Sequence, residues 1–247
     1  MRPFLHALSF LTILPMGGNT ITEDRELARS MAFFPVVGLL IGLILCPGYY
    51  LLSLFFLKPL VIWLTIGLLV FLTRGLHLDG FADTMDGLSS GGSRENILEV
   101  MRDSRIGAFG VMSLIFLIGA KYFALDQIPN SSFYPSLILM TVLGRNSMVL
   151  VCYRSPYARS GEGLGKPFSE NLHFREMAVS LILTFGIALL LTGTKGILVF
   201  LGVGLFSMGY RFFFIKRLGG VTGDILGGAN EISELLTLLL LIIKIGR

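Results

Sequence analysis

The sequence predicts an all-α protein: a polytopic transmembrane helical bundle of about seven spans, a single integral membrane domain over residues 1–247, with an interfacial helix at its N-terminus and an acidic site facing the cytoplasm. Three observations carry this. The chain is 53% hydrophobic and only 15% charged, with a mean hydropathy of +0.78, far more apolar than a soluble domain of its size. Its apolar residues gather in long runs separated by short polar connections. Its unusual polar motifs fall in connections that belong to one side of the membrane.

The first fifteen residues hold an apolar run broken by His6 and Pro15, too short to span and without a small-residue cleavage site, so a retained amphipathic helix is expected. A polar link follows, with a short surface helix opened around Thr22 to Arg25. Met31 to Phe56 is the first span, tolerating Pro35 and Pro47, and Leu60 to about Leu76 is the second, joined to it by a tight turn at Lys58-Pro59. Beyond a polar stretch whose Ser93-Arg-Glu-Asn reads as a helix cap, five more spans are expected: Ala108 to Leu125, Pro135 to Tyr153, Ala178 to Leu191, Ile197 to Ile215 and Ile232 to Ile245. Basic residues concentrate in one set of connections, whereas the other holds only Lys58, Lys121, Lys195, Lys244 and Arg247. The positive-inside bias then turns the run His77 to Gly87 toward the cytoplasm.

That run, HLDGFADTMDG, is the chemical centre. If it continues the second span as a helix, Asp79, Asp83 and Asp86 lie within about 60° of one another, beside a side-chain-free stripe made by Gly80 and Gly87. Three carboxylates on one face repel, and Mg²⁺, which takes carboxylates, waters and substrate phosphate oxygens, answers that charge. The glycine stripe would let a phosphate approach. His77 is a further substrate contact or base, although on a helix it points away from the acids. A solvated helix start is the plain alternative.

A second motif, Gly219 to Glu231, leads into the last span and repeats the acid spacing as Asp224, Gly228 and Glu231. Asp224 and Glu231 are expected metal ligands, with Asp224 catalytic beside the first three aspartates, and Gly223 and Asn230 as substrate contacts. A glycine-rich helix-packing entry is the alternative. Arg102, Asp103 and Arg105 precede the third span, where two arginines three apart suit a fork on phosphate oxygens or, more plainly, lipid headgroups. Arg145 lies inside an apolar span, so it is expected either to face the bundle interior as a phosphate or carboxylate partner or to snorkel to the interface. Arg159 and Lys166 bracket a glycine-rich loop that reads as a lid or a linker.

Cys46 and Cys152 sit in apolar segments without disulfide or zinc spacing and read as packing residues. No basic and aromatic run makes a nucleic-acid surface, so nucleic acid is not an expected partner.

The strings HLDGFADTMDG, MRDSRIGAFG (from Met101), YARSGEGLG (from Tyr157) and GGVTGDILGGANEISEL (from Gly219), with LSFLTILP near the N-terminus, closely resemble the cobalamin synthase family, over essentially the whole chain and in the same order. Ile13 departs from it, standing where members often carry Arg. The resemblance implies a Mg²⁺-dependent, multi-pass enzyme of the bacterial inner membrane that joins α-ribazole or its 5′-phosphate to adenosylcobinamide-GDP and releases GMP. Membrane lipid and, optionally, a second copy of the chain complete the expected partners. Competing readings are a CDP-alcohol phosphotransferase-like enzyme, a UbiA-like prenyltransferase and, from another class, a divalent-cation transporter. Against transport, the acids cluster at one membrane face and arginines accompany them.

Overall fold

In the computed structural model, which describes residues 2–14 and 23–243, the chain is all helix apart from one isolated backbone bridge. The elements are α1 (Arg2–Leu11), α2 (Asp24–Ser30), α3 (Phe34–Ser53), α4 (Lys58–Leu72), α5 (Leu76–Ser90), α6 (Arg94–Val100), α7 (Ala108–Gln127), α8 (Phe133–Cys152), α9 (Lys166–Asn171), α10 (Phe174–Leu218) and α11 (Gly223–Ile242). The expected cap region around Thr22 and the last four residues lie outside the described residues.

α8 is the axis of the bundle and is buried on every side by α3, α10 and α11. Small residues let the neighbours close in. A Cβ at Gly38 or Gly42 of α3 would strike the α8 backbone, and Thr141 Oγ1 donates to the Gly38 carbonyl at 2.7 Å. α1 is packed on the bundle: Ala7, Leu8 and Leu11 are buried, and Ile13 N–H donates to the Leu72 carbonyl at 2.7 Å.

By length and apolarity five helices suffice to cross a membrane, or six if α4 and α5 form one broken span. α10 is 45 residues long, about 67 Å if straight, more than twice a hydrocarbon core. It is not straight. Gly193 takes φ 62° and ψ −140°, and the Phe185 and Phe200 rings, which a straight helix would hold about 22 Å apart, sit 5.8 Å apart. The chain therefore reverses at Gly193 into two antiparallel arms, which cover the segments expected as fifth and sixth spans, and residues such as Leu190 and Leu205 are exposed on them.

Two sequence expectations change here. The aspartate run does not continue the second span: α4 stops at Leu72, Arg74 and Gly75 adopt left-handed φ of 55° and 67°, and α5 leaves at 90°. Gly75 makes that turn cheap, and Arg74 donates to the Ser9 carbonyl at 3.1 Å. The last helix starts at Gly223, well before Ile232, because the Thr222 hydroxyl caps it by accepting from Ile225 N–H.

Candidate active site

The site is built where α5 crosses the first turns of α11. Glycines set the crossing distance: a Cβ on Gly80 would lie 2.9 Å from Asp224 Cα, and one on Gly227 would lie 3.1 Å from the His77 carbonyl oxygen. The glycine stripe read from sequence as space for phosphate is thus spent on helix packing. Gly87, at its other end, faces Met101 and the Ile97 carbonyl of α6.

The crossing brings together three carboxylates. Asp79 and Asp83, one turn apart on α5, and Asp224 at the start of α11 act on one another electrostatically, with Asp79 exposed and the other two partly buried. One cation answers them: Arg159 Nη2 is 2.8 Å from Asp224 Oδ2 and also donates to the Met101 carbonyl at 3.1 Å. Arg159 is delivered by the loop after α8, and that loop is pinned. Ala158 N–H donates to the Val221 carbonyl and Val221 N–H to the Pro156 carbonyl, each at 2.9 Å. Gly165 packs against the Gly223 amide. Lys166, expected to contact substrate, pairs with Glu162 at 3.1 Å.

Beneath the acids lies a cavity of about 160 Å³ lined by His77, Asp79, Gly80, Arg159, Gly223 and Asp224. Its far wall is aromatic, made by Phe10, Phe34 and Phe168 from three separate elements. No local pattern announces such a wall. His77, buried to 1% exposure, leaves both ring nitrogens without a hydrogen-bond partner, as do the buried Tyr157 hydroxyl and Arg159 Nε. A wider basin of about 360 Å³ opens on the other side of Arg159, with Arg94, Glu95, Glu99, Arg102 and Ser160 around it.

Asp86 is employed elsewhere. Its two carboxylate oxygens accept the N–H groups of Gly107 and Gly110, each at 2.7 Å, so it caps the start of α7. The glycines are needed because a Cβ at either position would fall on the carboxylate. The Arg102 and Arg105 fork does not form, since α6 ends at Val100. Arg102 turns to the basin, while Arg105 is 87% exposed and pairs with Asp103 at 2.7 Å, which holds that carboxyl down to about 2.

Glu231, Asn230 and Arg145 belong to a second cluster, deeper in the bundle. Lys121 Nζ lies 2.6 Å from Glu231 and 2.5 Å from Glu234, Arg145 pairs with Glu234, and Asn230 donates to both glutamates at 3.2 and 3.4 Å. Two acids and two bases cancel, which is how such charges persist in an apolar interior. Arg145 does face the interior, and its carboxylate partner is Glu234. Lys121, assigned from sequence to an outer connection, is buried at 3% exposure. Its place inside an apolar run was the available signal.

Among the described residues no three acidic, His or Cys side chains close around an ion unaided. The donor chemistry still suits a hard cation completed by phosphate: Asp79 and Asp83 make no ion pair among the described residues, and the guanidinium of Arg159 is paired with Asp224.

A multi-pass helical protein with carboxylates on two crossing helices and an arginine held against them falls in the class of membrane enzymes that act on phosphate compounds. The comparisons narrow that class. The chain matches the CobS family, described as cobalamin-5-phosphate synthase, over residues 3–242. It is 37% identical over 246 residues to an adenosylcobinamide-GDP ribazoletransferase of Alkaliphilus metalliredigens, covering 100% of this chain and 97% of the relative. It is 40% identical over 234 residues to the enzyme so named in Syntrophobacter fumaroxidans, 94% of each chain. With that of Geotalea daltonii it shares 37% over 247 residues, 100% of this chain and 99% of the relative. No solved structure matches. The chain belongs to the CobS family.

Proposed function

We propose that this protein transfers the corrinoid phosphate of adenosylcobinamide-GDP to α-ribazole or its 5′-phosphate, releasing GMP, the final assembly step of cobalamin. The observation that carries the chemistry is the meeting of Asp79, Asp83 and Asp224 with Arg159 beside a cavity. The acceptor hydroxyl oxygen forms a new bond to the corrinoid-bearing phosphorus, the bridging P–O bond breaks, and GMP departs with the bridging oxygen. The hydroxyl proton passes to the carboxylate cluster. Arg159, which already presents a charged donor at this point, neutralises charge that develops on the phosphoryl oxygens.

Asp79, Asp83 and Asp224 are the residues that would hold Mg²⁺, a Lewis acid for the diphosphate oxygens. Asp86, bound by two amides, and Glu231, bound by Lys121, are not free to join them. We place the site on the cytoplasmic side of the bacterial inner membrane, on the strength of the positive-inside bias. The helical, multi-pass form also suits a CDP-alcohol phosphotransferase or a prenyltransferase, but the family relationship favours the corrinoid reaction. The test is incubation of purified protein with adenosylcobinamide-GDP, α-ribazole and Mg²⁺. GMP appearing in step with a corrinoid product supports the proposal; the same rate of GMP release without α-ribazole rejects transfer.

A further inference from the structure

The cavity at the site has two unlike walls. Phe168 of α9 stands at the centre of the aromatic one, its ring centroid 5.0 Å from that of Phe10 and 5.9 Å from that of Phe34. Also lining the cavity are Tyr157 and Arg159, whose hydroxyl and Nε have no hydrogen-bond partner among the described residues. Buried polar atoms are ordinarily paired, so two such groups around one hollow mark a place where a ligand supplies the missing partners. A flat ligand that is polar at its edge suits a hollow with an aromatic wall and unpaired polar groups. The ligand must also be small: about 160 Å³ is below the roughly 300–1,000 Å³ of pockets for drug-sized molecules, enough for a bicyclic base and far too little for a corrin macrocycle.

The basin across Arg159 is a different environment. It is open, about 360 Å³, and of mixed charge. Glu95 and Glu99, one turn apart on α6, are acceptors of the kind that the ring N–H and amino group of a guanine would need, and Arg94 and Arg102 are donors that would suit phosphate. Among the described residues Arg159 alone lines both spaces, which places it at the point between them. Phosphoryl transfer wants the attacking and leaving oxygens on opposite sides of phosphorus, roughly in line.

Resting on the proposed reaction, we infer that the two spaces divide the substrates at Arg159: the aromatic cavity is the acceptor chamber, where the planar base of α-ribazole stacks on Phe168 within reach of Tyr157, and the open basin takes the leaving guanosine nucleotide. Phe168 and Glu99 are then specificity residues for different substrates of one reaction.

The experiment is steady-state kinetics on the full chain in detergent, with α-ribazole and adenosylcobinamide-GDP varied independently. Phe168→Leu, which keeps apolar bulk but loses the flat face, should raise the KM for α-ribazole by about tenfold or more, while that for adenosylcobinamide-GDP stays within about twofold. Glu99→Gln should do the reverse. Because Phe168 is buried at 2% exposure, Leu164→Trp serves as a second variant: Leu164 is 70% exposed at the cavity mouth, and a larger ring there should obstruct the acceptor without disturbing the core. Variants whose acceptor KM is unchanged, or whose adenosylcobinamide-GDP KM rises instead, overturn the assignment while the reaction itself stands. A wild-type protein that releases no GMP overturns both.

Discussion

Asp86→Ala separates a capping carboxylate from a catalytic one. Asp79, Asp83 and Asp86 look equivalent in sequence, yet the Asp86 carboxylate accepts the Gly107 and Gly110 amides at 2.7 Å and is only 8% exposed. Hydrogen bonds to an ionised group contribute about 1.5–3 kcal/mol each, and the carboxylate also meets the positive end of α7. Removing it leaves Gly110 N–H buried without a partner, so the loss should total roughly 3–5 kcal/mol, a large part of a typical stability. At a few degrees per kcal/mol this lowers the melting temperature by roughly 10 °C. The assay is thermal unfolding of detergent-purified protein followed by circular dichroism, with GMP release measured on the fraction that remains folded. Asp86→Asn, which keeps one acceptor, should fall between wild type and Ala. If Asp86→Ala melts with wild type yet loses turnover as Asp79→Asn does, the capping account is wrong.

Arg159→Lys keeps the charge but replaces the planar guanidinium, whose Nη2 holds Asp224 and the Met101 carbonyl while its other donors stay available to phosphate, with a shorter point charge, so turnover should fall by roughly 2–4 kcal/mol of barrier, whereas Arg105→Lys should run at wild-type rate. Equal effects of the two in a GMP-release assay would contradict the placement of Arg159. In the buried cluster, Lys121→Met strands Glu231 and leaves Glu234 to Arg145, which should cost roughly 3–5 kcal/mol of stability, and Lys121→Met combined with Glu231→Gln should recover part of it; thermal unfolding of the three proteins decides. For topology, cysteine labels at Ser89 and Ser160 should react from the cytoplasmic side and one at Asn130 from the opposite side, and any reversal among them breaks the assignment of the site to one face.

The helical bundle was legible because hydropathy is a bulk property of each segment, and the Ser93 cap because its donor is local: Ser93 Oγ accepts from Asn96 N–H. Asp79, Asp83 and Asp224 were legible as acids on helical faces. What sequence did not disclose depends on contacts between distant segments. Asp86 points to α7 because Gly107 and Gly110, distant in sequence, leave room for its carboxylate, a pairing that no single-helix projection contains. The bend at Arg74 and Gly75 was hidden because Thr73-Arg74-Gly75 is a short interruption after which apolar residues resume at Leu76, although a glycine at that junction permits a left-handed turn. Lys121 was read as a boundary charge, but its partners Glu231 and Glu234 lie on another helix. The aromatic wall joins Phe10, Phe34 and Phe168, which only the packing of α1 and α9 on α3 assembles.

The central claim is that Asp79 on α5 and Asp224 on α11 act as one phosphoryl-transfer site. Single-turnover GMP release by Asp79→Asn, Asp224→Asn and the double variant, each shown to be folded, tests it most directly. Each single change should slow release by at least about a hundredfold, and the double change by little more than the worse single one, because groups that hold one metal and one phosphate fail as a unit. Penalties that multiply to about ten-thousandfold, or either single variant turning over like wild type, would show that the two acids do not share a site.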